Sequence, residues 1–170
     1  TELYAERFGR LEQRCALVAQ GGYGRGELNP WSDIDLLFLC ERSEGAFLEN
    51  VAERIMYTLY DTRVQVGNAM RTARECVKLA ALDFKVKTAL LDARFLCGDR
   101  ELYDEFAATM EKDVLKRGAE RFFKEKMEES DERHAKYGDS VYLLEPEIKE
   151  GEGGLRDLHT AMWMAKVKFK

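Results

Sequence analysis

Residues 17–40 read LVAQGGYGRGELNPWSDIDLLFLC and join two apolar segments through a glycine-rich turn. The segments at 15–19 and 36–40 have the length and composition of buried strands. Side chains alternate between the two faces of a strand, so Asp33 and Asp35 are expected to project from the same face. Two carboxylates at this spacing repel each other unless a cation lies between them.

The carboxylate pair, Asp33 and Asp35, therefore predicts a divalent-metal site, and the turn before it predicts a phosphate site. Oxygen ligands of this kind suit Mg²⁺, which proteins usually hold through one or two carboxylates together with substrate phosphates. Gly21 and Gly22 lack a Cβ and let the backbone approach a ligand closely. Arg25 supplies a fixed positive charge for phosphate oxygens.

Two further features of the turn leave its ligand undefined. Ser32 is placed either to donate a hydrogen bond to a phosphate or to cap a turn. The glycines do not follow the Walker pattern, because no Gly-Lys-Ser/Thr is present, and Glu27 occupies the third glycine position of the Rossmann pattern.

Length, charge and cysteine spacing narrow the class of protein. The chain has 170 residues and a formal net charge of -5, which indicates one domain with an extension and disfavours a general nucleic-acid binder. No apolar run approaches the roughly 20 residues that span a bilayer. The four cysteines lack Cys-x-x-Cys spacing, which favours reduced, buried thiols. We therefore expect a cytoplasmic protein that uses neither a membrane nor nucleic acid as partner.

Apolar periodicity predicts an α/β fold, with a small mixed sheet flanked by helices in residues 1–98 and a helical extension in 99–170. The first part is expected to contain helices over 1–12 and 46–60, a strand over 63–70 beside the second strand, helices capped by Thr72 and Asp83, and a short strand over 94–97. Residues 100–137 are predicted to be helical, with a break at Gly118. Eight acids and eight bases between 111 and 136 predict solvated, salt-bridged helix faces.

The end of the chain is expected to hold a short apolar segment over 140–145, a loop over 146–154 and a helix over 155–168. The chain stops within that last helical pattern, so we expect it to be part of a longer protein.

Two stretches carry a resemblance to a known family. GGYGRGELNP at 21–30, followed by SDIDLL at 32–37, resembles the polymerase-β-like nucleotidyltransferase superfamily. It is most similar to the catalytic domain of the PII uridylyltransferase/uridylyl-removing enzymes. KEGEGGLRDL at 149–158 is similar to an element that follows this domain in the same family, so Lys149 and Arg156 are candidates for nucleotide or partner contacts.

The resemblance implies a Mg²⁺-dependent transfer of uridylyl from UTP to a tyrosine of a PII signal protein, with release of pyrophosphate, in nitrogen regulation. It implies that Asp33 and Asp35 hold the metal and act in catalysis, and that the nucleotide is bound by Gly21, Gly22, Arg25 and Ser32.

Two alternatives to this function remain open. One is an adenylyltransferase that uses ATP and acts on glutamine synthetase, which has a similar motif. The other is a nucleotide-sensing module without turnover. It is suggested because the superfamily usually carries a third carboxylate on the next strand, whereas residues 64–70 contain no carboxylate, and the polar residue considered there is Asn68. Elsewhere in the chain, Asp61 and Asp92 are the candidates for the missing third carboxylate.

Overall fold

The computed structural model describes residues 13–43, 45–62, 64–115, 118–137 and 147–169. The helix expected over 1–12 and the apolar segment expected over 140–145 lie outside the described residues. Contacts divide the chain into two compact units, Thr1–Met110 and Glu111–Lys170. The division falls after Met110, whereas composition suggested a boundary after residue 98.

Four strands form a mixed sheet within the described part of the first unit, in the order β3-β2-β1-β4. They are β1 (Cys15–Gln20), β2 (Ile34–Cys40), β3 (Val66–Arg71) and β4 (Arg94–Gly98). β1 pairs antiparallel with both β2 and β4, and β3 pairs parallel with β2. The mixed sheet, and the third strand beside the second, are therefore confirmed.

The helices in the described part of this unit are α1 (Gly21–Arg25), α2 (Ala46–Asp61), α3 (Ala73–Leu82), α4 (Phe84–Leu91) and α5 (Arg100–Met110). Thr72 forms the expected capping box with Glu75, and the Asp83 side chain accepts hydrogen bonds from the first backbone N–H groups of α4. The glycine-rich turn is wound into the short helix α1. This helix ends at Gly26, whose φ of 76° is left-handed and suits a residue without a Cβ.

The core of the first unit lies around β2. Every residue from Leu36 to Cys40 is buried, with an exposed fraction of 3% or less. A run buried on both faces is typical of a central strand. Burial of such large apolar side chains stabilises the fold by roughly 1.5–3 kcal/mol each. The position of β2 fixes in turn the position of Asp35, its second residue.

The cysteines differ in exposure, although all four are free thiols. Cys40 and Cys76 are buried, and burial raises the pKa of their thiols to about 11 and about 12. Cys15 is half-buried and Cys97 is exposed. The expectation of buried thiols is therefore wrong for Cys97, because β4 is an edge strand and residue 97 faces solvent.

The second unit contains a π-helical turn (Glu111–Leu115), α6 (Ala119–Tyr137) and α7 (Leu155–Phe169). α6 begins directly after Gly118, where the break was expected. The prediction of solvated charged faces is wrong for two bases of α6, since Lys126 and Arg133 are only 2% and 6% exposed. No helix in the described part of the chain is long and apolar enough to cross a membrane.

Candidate active site

The carboxylate pair lies where β2 begins. Asp35 is in register with Gln20 of β1 on one side and with Gly67 of β3 on the other. Residues directly opposite each other on neighbouring strands point to the same face of the sheet. Asp33 precedes the strand and is exposed. Asp35 is half-buried, whereas Asp33 is open to solvent.

Two glycines leave the space that the Asp35 carboxylate occupies. A Cβ at Gly21 would be 2.9 Å from Asp35 Oδ2, and a Cβ at Gly67 would be 2.9 Å from Asp35 Oδ1. Both distances are shorter than real Cβ atoms adopt. The carboxylate thus lies in a cradle formed by Gly21 and Gly67. Gly67 is not among the site residues predicted from the sequence. Its signal was a glycine inside a strand, which often marks the close approach of another group.

The environment of Asp35 favours a bound cation. Burial raises the pKa of Asp35, and the charge of Asp33 raises that pKa further. A cation placed between the two groups would relieve both effects. Within the described residues, no group of three or more His, Cys, Asp and Glu side chains is arranged to hold a metal ion. Two carboxylates suit a hard divalent cation such as Mg²⁺, which usually takes its other ligands from substrate phosphates and water.

None of the candidates for a third carboxylate position completes a metal-binding group with Asp33 and Asp35 in the described part of the chain. Asn68 is in register with Leu36, so it points to the opposite face of the sheet from Asp35. Asp61 is the exposed last residue of α2. Asp92 is buried, and its carboxylate binds Arg25.

Arg25 is held in an ion-pair cluster. Its Nη1 donates to Asp92 Oδ2 at 2.6 Å, and its Nε donates to Glu27 Oε2 at 2.9 Å. The Arg25 side chain is 11% exposed and the Asp92 side chain is fully buried. The cluster ties the end of α1 to the end of α4. The role of Arg25 as a phosphate ligand remains a prediction, and the structure gives its guanidinium two carboxylate partners.

α1 is anchored by further contacts that sequence reasoning missed. Arg94 donates from Nε to the Gly24 carbonyl at 3.0 Å and from Nη2 to the Tyr23 carbonyl at 2.7 Å. An arginine at this end of a helix satisfies the last carbonyl groups and their partial negative charge. A Cβ at Gly24 would lie 2.0 Å from the Asp92 carbonyl oxygen, so glycine is required for α1 to pack there.

Ser32 lies between α1 and Asp33. Its backbone N–H donates to the Asn29 carbonyl at 3.1 Å and closes a turn. The backbone of Ser32 thus takes part in a turn, and its hydroxyl as a phosphate donor remains a prediction.

The second glycine stretch forms a loop that is folded onto α6 within the second unit. Arg133 donates from Nη1 to the Glu150 carbonyl at 2.8 Å and from Nη2 to Asp157 Oδ1 at 2.5 Å. Burial by itself acts to raise the pKa of the Asp157 carboxylate. Hydrogen bonds from Arg133, His134 and the Gly153 N–H outweigh that effect and lower the pKa to about 2. These contacts stabilise the entry into α7.

The two candidate contact residues of this stretch differ. Arg156 donates from Nη2 to Glu150 Oε1 at 2.9 Å. Lys149 is exposed, and its backbone N–H donates to Glu147 Oε1 at 3.1 Å. The structure therefore pairs Arg156 with an acid of the same loop, and a ligand role for either residue remains a prediction.

Comparison with known proteins finds two family models that match the chain, one in each of its two parts. The family model described as nucleotidyltransferase domain matches residues 2–96, and the one described as GlnD PII-uridylyltransferase matches residues 121–170. A bifunctional uridylyltransferase/uridylyl-removing enzyme of Nitrobacter winogradskyi is 48% identical over 158 residues, which cover 93% of this chain and 17% of that enzyme.

Two more relatives carry the same name. The one from Bradyrhizobium sp. (strain BTAi1) is 45% identical over 99% of this chain and 18% of its own length. The one from Phenylobacterium zucineum is 48% identical over 91% of this chain and 16% of its own length. The chain thus spans less than a fifth of the length of these curated relatives.

Proposed function

Because the chain belongs to the nucleotidyltransferase domain family, we propose that it transfers a nucleoside monophosphate from UTP to a tyrosine hydroxyl of a PII-type signal protein. The observation that carries the proposal is the Asp35 carboxylate at the start of β2, which occupies the space left by Gly21 and Gly67 and follows Asp33 by two residues. The names of the relatives support uridylyl as the transferred group. A role in nitrogen regulation is part of the proposal and rests on the PII-type acceptor. A cytoplasmic location is part of the same proposal.

The proposed reaction is an in-line displacement at the α-phosphorus. The hydroxyl oxygen of the acceptor forms a new bond to phosphorus, the bond to the bridging oxygen of the β-phosphate breaks, and pyrophosphate leaves with the electron pair. The hydroxyl proton is lost to solvent. Bound Mg²⁺ would neutralise triphosphate charge and lower the pKa of the attacking hydroxyl. Such chemistry depends mostly on positioning and on charge stabilisation.

The residues of the chain would divide this task. Asp33 and Asp35 would hold the metal, which would supply positive charge for the triphosphate. The backbone at Gly21 and Gly22 approaches the β- and γ-phosphates. The hydroxyl of Ser32 donates a hydrogen bond to the triphosphate.

Arg25 would bind phosphate by exchanging one of its carboxylate partners. The exposed Glu27 is the carboxylate that a phosphate oxygen can replace. The buried Asp92 stays in place and keeps the guanidinium oriented. In the second unit, the exposed Lys149 and the Glu150-paired Arg156 would contact the nucleotide or the acceptor.

One observation favours a second candidate function, the nucleotide-sensing module. β3 presents Gly67 and Ala69 on the face that carries Asp35, and neither residue has a carboxylate. A site with two acids in place of three would bind a metal–nucleotide complex without turning it over. Tight nucleotide binding with no pyrophosphate release under any acceptor is the result that would identify this function.

The proposal is tested by measuring pyrophosphate release from UTP and from ATP, each with Mg²⁺ and a PII protein. Asp35→Asn and Asp33→Asn are expected to abolish release without changing thermal stability. Asp104→Asn is the matched control, because Asp104 is an exposed acid whose partner is Arg100 on the same helix. Full turnover by the Asp33→Asn, Asp35→Asn double variant would contradict the assignment. Preference for ATP would move it to adenylyl transfer.

A further inference from the structure

Trp31 occupies a position in which the local structure disfavours a tryptophan. The Ser32 N–H donates to the Asn29 carbonyl at 3.1 Å and closes a four-residue turn with Pro30 and Trp31 at its centre. Trp31 has a φ of 69°. A turn with proline at its second position and a positive φ at its third is the type that favours glycine at the third, since a Cβ is crowded there.

The side chain of Trp31 brings no compensating contact. It is 100% exposed, so its ring buries no surface against this chain. Within the described ranges, Trp31 is also the one residue other than glycine with a positive φ. A glycine would relieve the backbone and remove an exposed aromatic ring. An outlier that stability does not explain points to a function.

The position of Trp31 limits what it can contact. Trp31 comes two residues before Asp33, and two residues of extended chain span at most about 7 Å. The backbone of Trp31 therefore lies close to that of Asp33, and a protein that covers the ring also reaches the surroundings of the carboxylate pair. Leu28, which is 42% exposed in the same loop, adds apolar surface nearby along the chain.

The shape of the surface favours a protein over a nucleotide base as the occupant. Small-molecule sites are concave and largely preformed, whereas a fully exposed ring has no protein wall around it. A protruding tryptophan is typical of protein–protein interfaces, where it inserts into a pocket that the partner supplies. We propose that Trp31 is a docking residue for the protein acceptor and inserts into an apolar pocket beside the hydroxyl that is modified. The inference rests on the proposed function, which makes the acceptor a protein.

Tryptophan fluorescence tests the contact directly. The chain has two tryptophans, and Trp163 is buried in the second unit at 3% exposure. Trp163→Phe leaves Trp31 as the single reporter, and circular dichroism would check that this variant is folded. Acrylamide should quench Trp31 about as strongly as free tryptophan, and addition of a PII protein should protect it. Protection by UTP and Mg²⁺ alone would assign the ring to the base and overturn the proposal, as would a lack of protection at saturating PII.

Kinetics separate docking from a structural role. Trp31→Gly should raise the KM for the acceptor at least about tenfold, the loss expected for a hot-spot tryptophan. The KM for UTP and the kcat at saturating acceptor should stay within about twofold, and the Tm should stay equal or rise. Trp31→Phe should recover most of the acceptor affinity. An unchanged acceptor KM in Trp31→Gly would overturn the inference while the transfer activity stands.

Failure of the proposed function gives a different result. In that case the wild-type chain releases no pyrophosphate, and the quenching experiment still reports whether a PII protein covers Trp31.

Discussion

Replacement of Gly67 by alanine is expected to displace the Asp35 carboxylate and to weaken binding of a divalent cation. The new Cβ would lie 2.9 Å from Asp35 Oδ1, whereas ordinary contact begins near 3.4 Å. The oxygen must therefore retreat by about half an ångström, which exceeds the tolerance of about 0.2 Å in metal–ligand distances. The shift is a rotation of the flexible Asp35 side chain, so it costs the fold little but takes Oδ1 out of the position in which it would bind the metal.

The size of the effect follows from this geometry. Loss of the contacts that orient a metal ligand typically costs about 10- to 100-fold in metal affinity, which corresponds to about 1.4–2.8 kcal/mol. The backbone of Gly67 does not have a positive φ, so alanine introduces no left-handed strain and the fold should keep its stability. The expected variant is folded but binds metal poorly.

The assay is a titration with Mn²⁺ in the presence of UTP, followed by electron paramagnetic resonance of the free ion. Asn68→Ala is the matched control, because Asn68 is the next residue of β3 and points to the opposite face. Wild type and Asn68→Ala should bind alike, and Gly67→Ala should bind at least about tenfold more weakly. The cradle argument is refuted if Gly67→Ala binds Mn²⁺ like wild type while Asp35→Asn does not bind.

Three further substitutions test the supporting contacts. Asp92→Ala should lower the unfolding free energy by about 3–5 kcal/mol in urea denaturation, because it removes the buried partner of the Arg25 guanidinium. Thr72→Ala should cost about 1 kcal/mol in the same assay through loss of the capping box of α3. Asp157→Asn should cost at most about 2 kcal/mol at neutral pH, since the carboxylate has a pKa of about 2 in place of 3.8 but is 26% exposed. This lowered pKa stabilises the fold above pH 3.8, and the gain is lost as the pH falls through 2, so the difference from wild type should shrink over that window.

Each of these expectations has its own contrary result. Wild-type stability of Asp92→Ala would mean that Glu27 alone compensates Arg25. A loss well above 1 kcal/mol in Thr72→Ala would mean that Thr72 supports more than the helix end. A difference for Asp157→Asn that does not change between pH 4 and pH 2 would show that the charge of Asp157 is not what stabilises the loop.

The buried strand and the helix starts were predicted correctly from the sequence, because residues close together along the chain determine them. The apolar run at 36–40 predicted a buried strand, and the strand is central. Thr72 and Asp83 predicted helix starts, and both cap helices in the structure. Capping and burial periodicity depend on residues within one turn or one strand, so no knowledge of distant segments was needed.

The sequence by itself determined the class of fold, most element positions and the carboxylate pair at 33 and 35. Only the tertiary structure decided which distant residues share a contact. It brought Gly67 to the Asp35 carboxylate and joined Arg25 to Asp92, residues far apart along the chain. It also turned Lys126 and Arg133 inward, against the charge pattern of their helix. Such contacts depend on strand order and packing, which the spacing of residues along the chain does not encode. For that reason the space that Gly67 leaves for Asp35 and the pairing of Asp92 with Arg25 became visible only in the folded chain.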